Sequence, residues 1–197
     1  MELCKGGSLC DILHVKEKKV NLSLKQKIII IIQIVEGLIY LHQNNTLHRD
    51  LKTLNILLLK QINGADTIPH IKIADFGLSK IFDNSQSRNS MTGGVGTPHY
   101  SAPEVNMGSS YGAKSDIYSL GIIIWELFSE TYPYSDLGYN NNKIYFDVGM
   151  GKLRPSLNLL HHTTPQKLKD IITRCWSQEP EDRPQLEDIY AIVEYLS

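Results

Sequence analysis

Very little in this sequence points to a membrane, to nucleic acid or to an oxidised compartment. An excess of one charge sign is missing: 20 Lys and Arg stand against 21 Asp and Glu, a formal net charge of −1. There is no global basic field to attract nucleic acid or an anionic membrane. Long hydrophobic runs are missing too. The run from Ile28 to Ile32 is broken by Gln33 and Glu36. It stops far short of the ~20 apolar residues a spanning helix needs, so no membrane span is expected. Met1 is followed by Glu2, Leu3, Cys4 and Lys5 without a long apolar core, so no signal peptide is expected. Cysteine is scarce and odd in number, at Cys4, Cys10 and Cys175. None sits in a C-x-x-C pair, which suggests neither a disulfide framework nor a zinc site. A reduced, cytoplasmic setting is the expectation. Internal repeats and linker-like boundaries are also missing, which leaves one domain over residues 1–197.

What is present resembles an ordinary globular interior, 42% hydrophobic and 21% charged, at a length that supports a real core. A short helix is expected over Leu9 to Leu13, after a turn at Gly6 and Gly7. Ser23 and Gln26 form an S-x-x-Q capping box. Behind it, Ile28, Ile31, Ile32, Val35, Leu38, Ile39 and His42 fall on one helical face. Gln26, Gln33, Gly37 and Tyr40 fall on the other. This predicts a long amphipathic helix ending near Asn44 and Asn45. The apolar runs Ile56 to Leu59 and Ile71 to Ala74, separated by a polar stretch with Gly64 and Pro69, predict a hairpin. Residues 83–96 are rich in Ser, Asn, Gly and Thr and are expected to be mobile in at least one state. From Ser115 to Phe128 apolar residues cover every side, the pattern of a buried helix. Thr164 and Pro165 are expected to cap a helix carrying Leu168, Ile171, Ile172, Cys175 and Trp176. Leu186, Ile189, Val193 and Leu196 mark a last one. The fold class expected is α+β, mostly α, with a small β-hairpin.

Three polar clusters carry the candidate chemistry: His48-Arg49-Asp50-Leu51-Lys52-Thr53-Leu54-Asn55, then Asp75-Phe76-Gly77, then residues 96–104 ending in Ala102-Pro103-Glu104. Antiparallel strands bring the loop of Asp50 and the loop of Asp75 together. An aspartate with an asparagine oxygen is a hard-oxygen set that suits Mg²⁺. A second aspartate beside it is free to orient or deprotonate a hydroxyl. Lys52 places a positive charge where a transferring phosphoryl group develops charge.

These clusters, in this order, resemble the eukaryotic protein-kinase signature set over essentially the whole chain. The resemblance implies a kinase-like C-terminal lobe whose hairpin carries the catalytic and metal-binding loops. It implies ATP and Mg²⁺ as cofactors, with Asp50 as the base that accepts the substrate hydroxyl proton and Lys52 contacting the γ-phosphate. Asn55 and Asp75 would hold Mg²⁺. Met1 takes the gatekeeper position, Glu2 to Cys4 the hinge whose backbone meets adenine, and Leu57 the place under the adenine ring. Glu104 and Arg183 resemble the ion pair tying the activation segment to the helical base, and Asp116 resembles the carboxylate that caps the catalytic loop. The pair His161 and His162 has no metal-like partner and is expected on a surface loop.

Lys52 and the segment Gly96-Thr97-Pro98-x-Tyr100 resemble serine/threonine kinases. Trp125-Glu126-Leu127, Cys175-Trp176 and Asp182-Arg183-Pro184 are similar to the tyrosine-kinase-like group, whose members mostly phosphorylate serine and threonine. Thr97 is expected to contact Asp50 and Lys52. Arg49 beside Asp50 suggests control by a phosphate at Ser85, Ser87, Ser90 or Thr92. The sequence opens where the family's hinge opens, without a G-x-G-x-x-G loop, a strand lysine or its helix glutamate. The expectation is a lobe lacking its N-terminal half, with Leu57 and Phe76 left to associate. The partners expected are a protein substrate offering a Ser or Thr hydroxyl, and an upstream N-terminal lobe or partner kinase. The alternative is a truncated or non-catalytic binding module with little turnover of its own.

Overall fold

The computed structural model describes residues 3–75, 80 and 81, 97–109 and 111–197. The segment 83–96, expected to be mobile, lies outside the described residues. The chain enters along the hairpin: Lys5 N donates to Leu59 O at 3.2 Å and Gly6 N to Leu58 O at 3.0 Å. Ser8 then caps helix α1 (Leu9–His14) through a reciprocal bond with Asp11.

Helix α2 (Leu24–Gln43) begins at the expected capping box. Gln26 N donates to Ser23 Oγ, and Ser23 N returns a bond to Gln26 Oε1. It ends at Asn44, with Asn45 at φ 51° in the left-handed region. Ile28, Ile30, Ile31, Ile34, Val35 and Leu38 are fully buried, each contributing roughly 1.5–3 kcal/mol of burial. The expected face is corrected in two respects. Ile32 and Ile39 are only half-buried, whereas Ile30 and Ile34 are in the core. The supposed polar face is an interface as well. Gln26 is buried and donates to the carbonyls of Gly64 and Thr67 at 2.9 and 2.8 Å. Gln33 donates to Pro69 O at 2.8 Å and accepts from Ile71 N at 3.0 Å. Gly37 admits Ile73, whose Cδ1 would lie 2.7 Å from an added Cβ. The hairpin loop leans on this side of α2, and two amides satisfy backbone groups that packing would otherwise strand.

That hairpin joins β2 (Ile56–Leu58) to β3 (Ile71–Ile73), antiparallel, with Ile56 opposite Ile73 and Leu58 opposite Ile71. A second, two-residue ladder pairs β1 (Thr46–Leu47) with β4 (Lys80–Ile81). Its strands are too short to carry a period and were not legible in the sequence. Helix α3 (Pro103–Asn106) follows, then α4 (Ala113–Ser129), buried from Ser115 to Phe128 as the all-round apolar pattern requires.

Helix α5 (Asn141–Gly149), capped by Asn140 onto Lys143 N, has no counterpart in the sequence reading. Helix α6 (Gln166–Cys175) carries the expected apolar face, but its cap is corrected. Pro165 is the N-cap residue, and Thr164 Oγ1 has no hydrogen-bond partner among the described residues. Helix α7 (Leu186–Tyr195) closes the fold against α2. No helix among the described residues is long and apolar enough to cross a membrane.

Helices α4 and α6 meet at Gly121, where an added Cβ would stand 2.6 Å from Cys175 Cβ. That atom is fixed to the backbone and has no rotamer with which to yield. Gly121→Ala is therefore expected to destabilise the chain by roughly 1–3 kcal/mol, lowering Tm by several degrees in a thermal melt. An unchanged Tm would show that the two helices separate freely.

Candidate active site

The loop His48–Asn55 runs between β1 and β2, and buried acids of α4 hold it. Asp116 Oδ2 accepts from His48 N and Oδ1 from Arg49 N, both at 3.0 Å. The same carboxylate takes His42 Nε2 at 2.9 Å and Tyr111 OH at 3.3 Å. Asp116 is fully buried, and four donors make that burial tolerable. Its expected capping role is what the geometry displays, beyond mere complementation of the helix dipole. The need for the cap is local. Arg49 sits at φ 69°, a left-handed conformation that costs a non-glycine residue roughly 1–2 kcal/mol. Charge-assisted hydrogen bonds of roughly 1.5–3 kcal/mol each outweigh that strain.

Held this way, the loop converges its polar groups. Lys52 Nζ lies 2.6 Å from Asp50 Oδ2 and 3.0 Å from Thr97 Oγ1. Thr97 Oγ1 in turn reaches Asp50 Oδ1 at 3.5 Å. Asn55 is buried, and its Nδ2 donates to Asp50 O at 2.7 Å. With that amide NH₂ committed, the amide oxygen is the atom Asn55 can offer a cation. The hairpin brings the Asp75 loop alongside: Ala74 N donates to Asn55 O at 2.8 Å, and His48 Nε2 bonds Ala74 O at 2.9 Å. Asp75 follows immediately, exposed and at φ 62°. The Asp50 carboxylate, the Lys52 ammonium and the Thr97 hydroxyl thus share one mouth, with Asn55 behind it and the chain at Asp75 running past the end of the hairpin. The oxygen donors suit Mg²⁺.

The other expected positions divide. Leu57 is half-buried and points to the face of β2 opposite Ile56 and Leu58, beside the bridge to Ser8. Cys4 is half-buried just ahead of the segment that pairs with β2. Met1, Glu2, Phe76, Gly77, Gly96 and the candidate phosphorylation sites Ser85, Ser87, Ser90 and Thr92 lie outside the described residues. His161 and His162 are exposed and stacked on each other at 4.2 Å, as expected of a surface loop.

Sequence reasoning missed a second buried acid. Glu126 is fully buried in α4. Its Oε1 accepts from Thr53 Oγ1 at 3.1 Å and meets His14 Nε2 at 2.7 Å; its Oε2 accepts from Tyr100 OH at 2.7 Å. The signal was available: an acid inside an all-apolar helix must find donors. Burial and then this carboxylate push the Tyr100 hydroxyl well above its ordinary pKa, keeping it a donor.

The third anchor is the Glu104–Arg183 pair, with both guanidinium nitrogens 2.7 Å from the carboxylate oxygens. Burial raises the Glu104 pKa, but the Arg183 hydrogen bonds and charge outweigh it and hold the carboxyl below its ordinary value.

The protein kinase domain family matches residues 1–193. The chain belongs to the protein kinase family. Kinases of this family generally use ATP and Mg²⁺. A probable serine/threonine-protein kinase of Dictyostelium discoideum is 39% identical over 95% of this chain and 19% of its own length. The dual specificity protein kinase shkB of the same organism is 34% identical over 95% of this chain and 27% of its own. Human mitogen-activated protein kinase kinase kinase 7 is 33% identical over the whole chain and 30% of its own. The chain thus spans about a fifth to a third of the length of the curated relatives it matches. One of these three is a serine/threonine-protein kinase by name, in keeping with the resemblance in the sequence.

Two substitutions test these anchors. Asp116→Ala strands four donors and is expected to cost about 3 kcal/mol or more, read as a lower urea midpoint; a shift under about 1 kcal/mol would mean the loop holds itself. Because the Glu104 pKa is depressed in the fold, its contribution is present above its ordinary value of 4.5 and lost as pH falls through the lower folded value. Acid unfolding followed by circular dichroism should therefore set in at higher pH in Glu104→Gln than in the parent chain, and an unshifted midpoint would show that the pair adds no stability. At neutral pH, where the pair is intact in the parent chain, Glu104→Gln should cost roughly 3–5 kcal/mol.

Proposed function

We propose that these residues catalyse ATP-dependent phosphoryl transfer to serine and threonine hydroxyls of proteins. The observation that carries this reading is the Asp50–Lys52–Thr97 cluster, braced from behind by Asn55 on Asp50 O. In it, Asp50 orients the acceptor hydroxyl and takes its proton at a carboxylate oxygen. Lys52 is held beside Asp50 at 2.6 Å, where its ammonium neutralises charge that grows on the transferring group. Thr97 ties the segment that would seat the acceptor to the same lysine, which supports a serine or threonine acceptor. The Asn55 amide oxygen and the Asp75 carboxylate would hold Mg²⁺, and Leu57 and the backbone near Glu2 and Cys4 would bind the adenine. When bound, Mg²⁺·ATP supplies the phosphoryl group and a charge that clamps its oxygens. The chain's own part is positioning: a rigid loop presents base, ammonium and oxygen donors in one place without reorganisation.

Incubation of the chain with Mg²⁺, labelled ATP and peptides bearing Ser, Thr or Tyr tests the proposal. Label is expected on Ser and Thr, with at least about a hundredfold less in Asp50→Asn, the range of a lost general base. Equal label in both proteins would sink the catalytic reading for these 197 residues and leave a binding role in its place. Label confined to tyrosine would overturn the acceptor class.

A further inference from the structure

Among the described residues, one group of three metal-ligating side chains lies apart from the mouth just described: Cys10, His14 and Glu126. Their ligand atoms all lie within 4.8 Å of one another. Cys10 and His14 are four residues apart in α1, so their side chains share one face of the helix. Glu126 comes from α4, 112 residues beyond His14, and closes the group from below.

We propose that Cys10, His14 and Glu126 form a binding site for a thiophilic divalent cation of the Zn²⁺ class. The donor set decides the class. Thiolate, imidazole and carboxylate together favour Zn²⁺ over Mg²⁺, whereas Asn55 and Asp75 offer oxygen alone. Three protein ligands with a fourth place for water is a recurrent zinc arrangement.

The geometry needs only small adjustments. Around a tetrahedral Zn²⁺ with bonds of about 2.0–2.3 Å, neighbouring ligand atoms lie about 3.4 Å apart. The contact between His14 Nε2 and Glu126 Oε1 is 2.7 Å and has to open by under about 1 Å. A separation at the 4.8 Å limit has to close by about 1.4 Å. Cys10 and His14 are half-buried, which leaves their side chains room for such rotamer changes.

Burial, and then the Glu126 carboxylate, push the Cys10 thiol above its ordinary value. A thiolate and a carboxylate this close repel, and a dication removes that repulsion; the thiol proton leaves to solvent as the cation binds. Cys175, by contrast, is fully buried and pushed up to about 12 by desolvation, with no such neighbours. The sequence hides the site because no C-x-x-C pair marks it: this pair is a Cys-x₃-His on a helix.

Cobalt(II) is the probe, titrated into the reduced chain. Saturable one-to-one binding is expected, with a near-ultraviolet thiolate-to-cobalt band that Zn²⁺ bleaches and millimolar Mg²⁺ does not. The band should vanish in Cys10→Ser and persist in Cys4→Ser and Cys175→Ser. His14→Gln, which keeps a hydrogen bond available to Glu126, should weaken affinity at least about tenfold. Far-ultraviolet circular dichroism confirms that each variant is folded. A band that survives in Cys10→Ser, an affinity unmoved in His14→Gln, or no saturable binding to the parent chain would overturn the site. None of these readouts depends on phosphoryl transfer.

Discussion

The loop His48–Asn55 exists in its observed shape because Asp116 is buried beneath it. Without tertiary support, Arg49 would not remain at φ 69°, and the two successive N–H groups of His48 and Arg49 would turn to water. The carboxylate accepts both, and also His42 and Tyr111. A fixed anion in a dry helix therefore imposes direction on a loop that has little packing of its own. Every other feature of the mouth follows from that direction: where Asp50 points, how Lys52 bridges to Thr97, and why Asn55 can turn back onto the Asp50 carbonyl.

Helix α4 applies this device twice. Asp116 and Glu126 are ten residues apart, about 15 Å along the axis. The first grips the loop where it begins, at His48 and Arg49; the second grips it at Thr53 and also holds Tyr100 from the following segment. Two buried acids in an otherwise apolar helix are costly in isolation. They persist because each satisfies donors that would otherwise be buried without partners, so the desolvation of acid and donors is shared. Glu104 with Arg183 makes a third hold, below α3. The loop and the segment after it are thus clamped to the helical base by charge, while apolar packing builds the base itself.

Much of this was legible in the sequence, for identifiable reasons. The all-round apolar run announced α4, the S-x-x-Q box announced the start of α2, and two apolar runs announced the hairpin. Those signals are local or periodic, so one sequence suffices to see them. The partners of Asp116 and the Glu104–Arg183 pair were expected from family resemblance, since contacts across 67 and 79 residues leave no local trace. Gln26 and Gln33 were misassigned for the same reason. Helical periodicity marks a glutamine as polar, and it cannot tell that a distant loop will present carbonyls to it. Glu126 was overlooked although its surroundings gave it away: an acid among Ile, Trp, Leu and Phe has to be bonded to something.

The same helix also separates two kinds of chemistry. On the mouth side, the donors around Asp50 are oxygens and an ammonium, suited to a hard cation that keeps its waters. Behind the loop, a thiol and an imidazole of α1 face Glu126, a softer set. Glu126 belongs to both sides, because its Oε1 meets His14 and Thr53 together. A cation that engaged this oxygen would compete with the Thr53 hydroxyl for its lone pairs. Occupancy behind the loop and loop geometry are consequently linked through one carboxylate, and the linkage is reciprocal: whatever strengthens the Thr53 bond weakens the hold on the cation, by the same free energy.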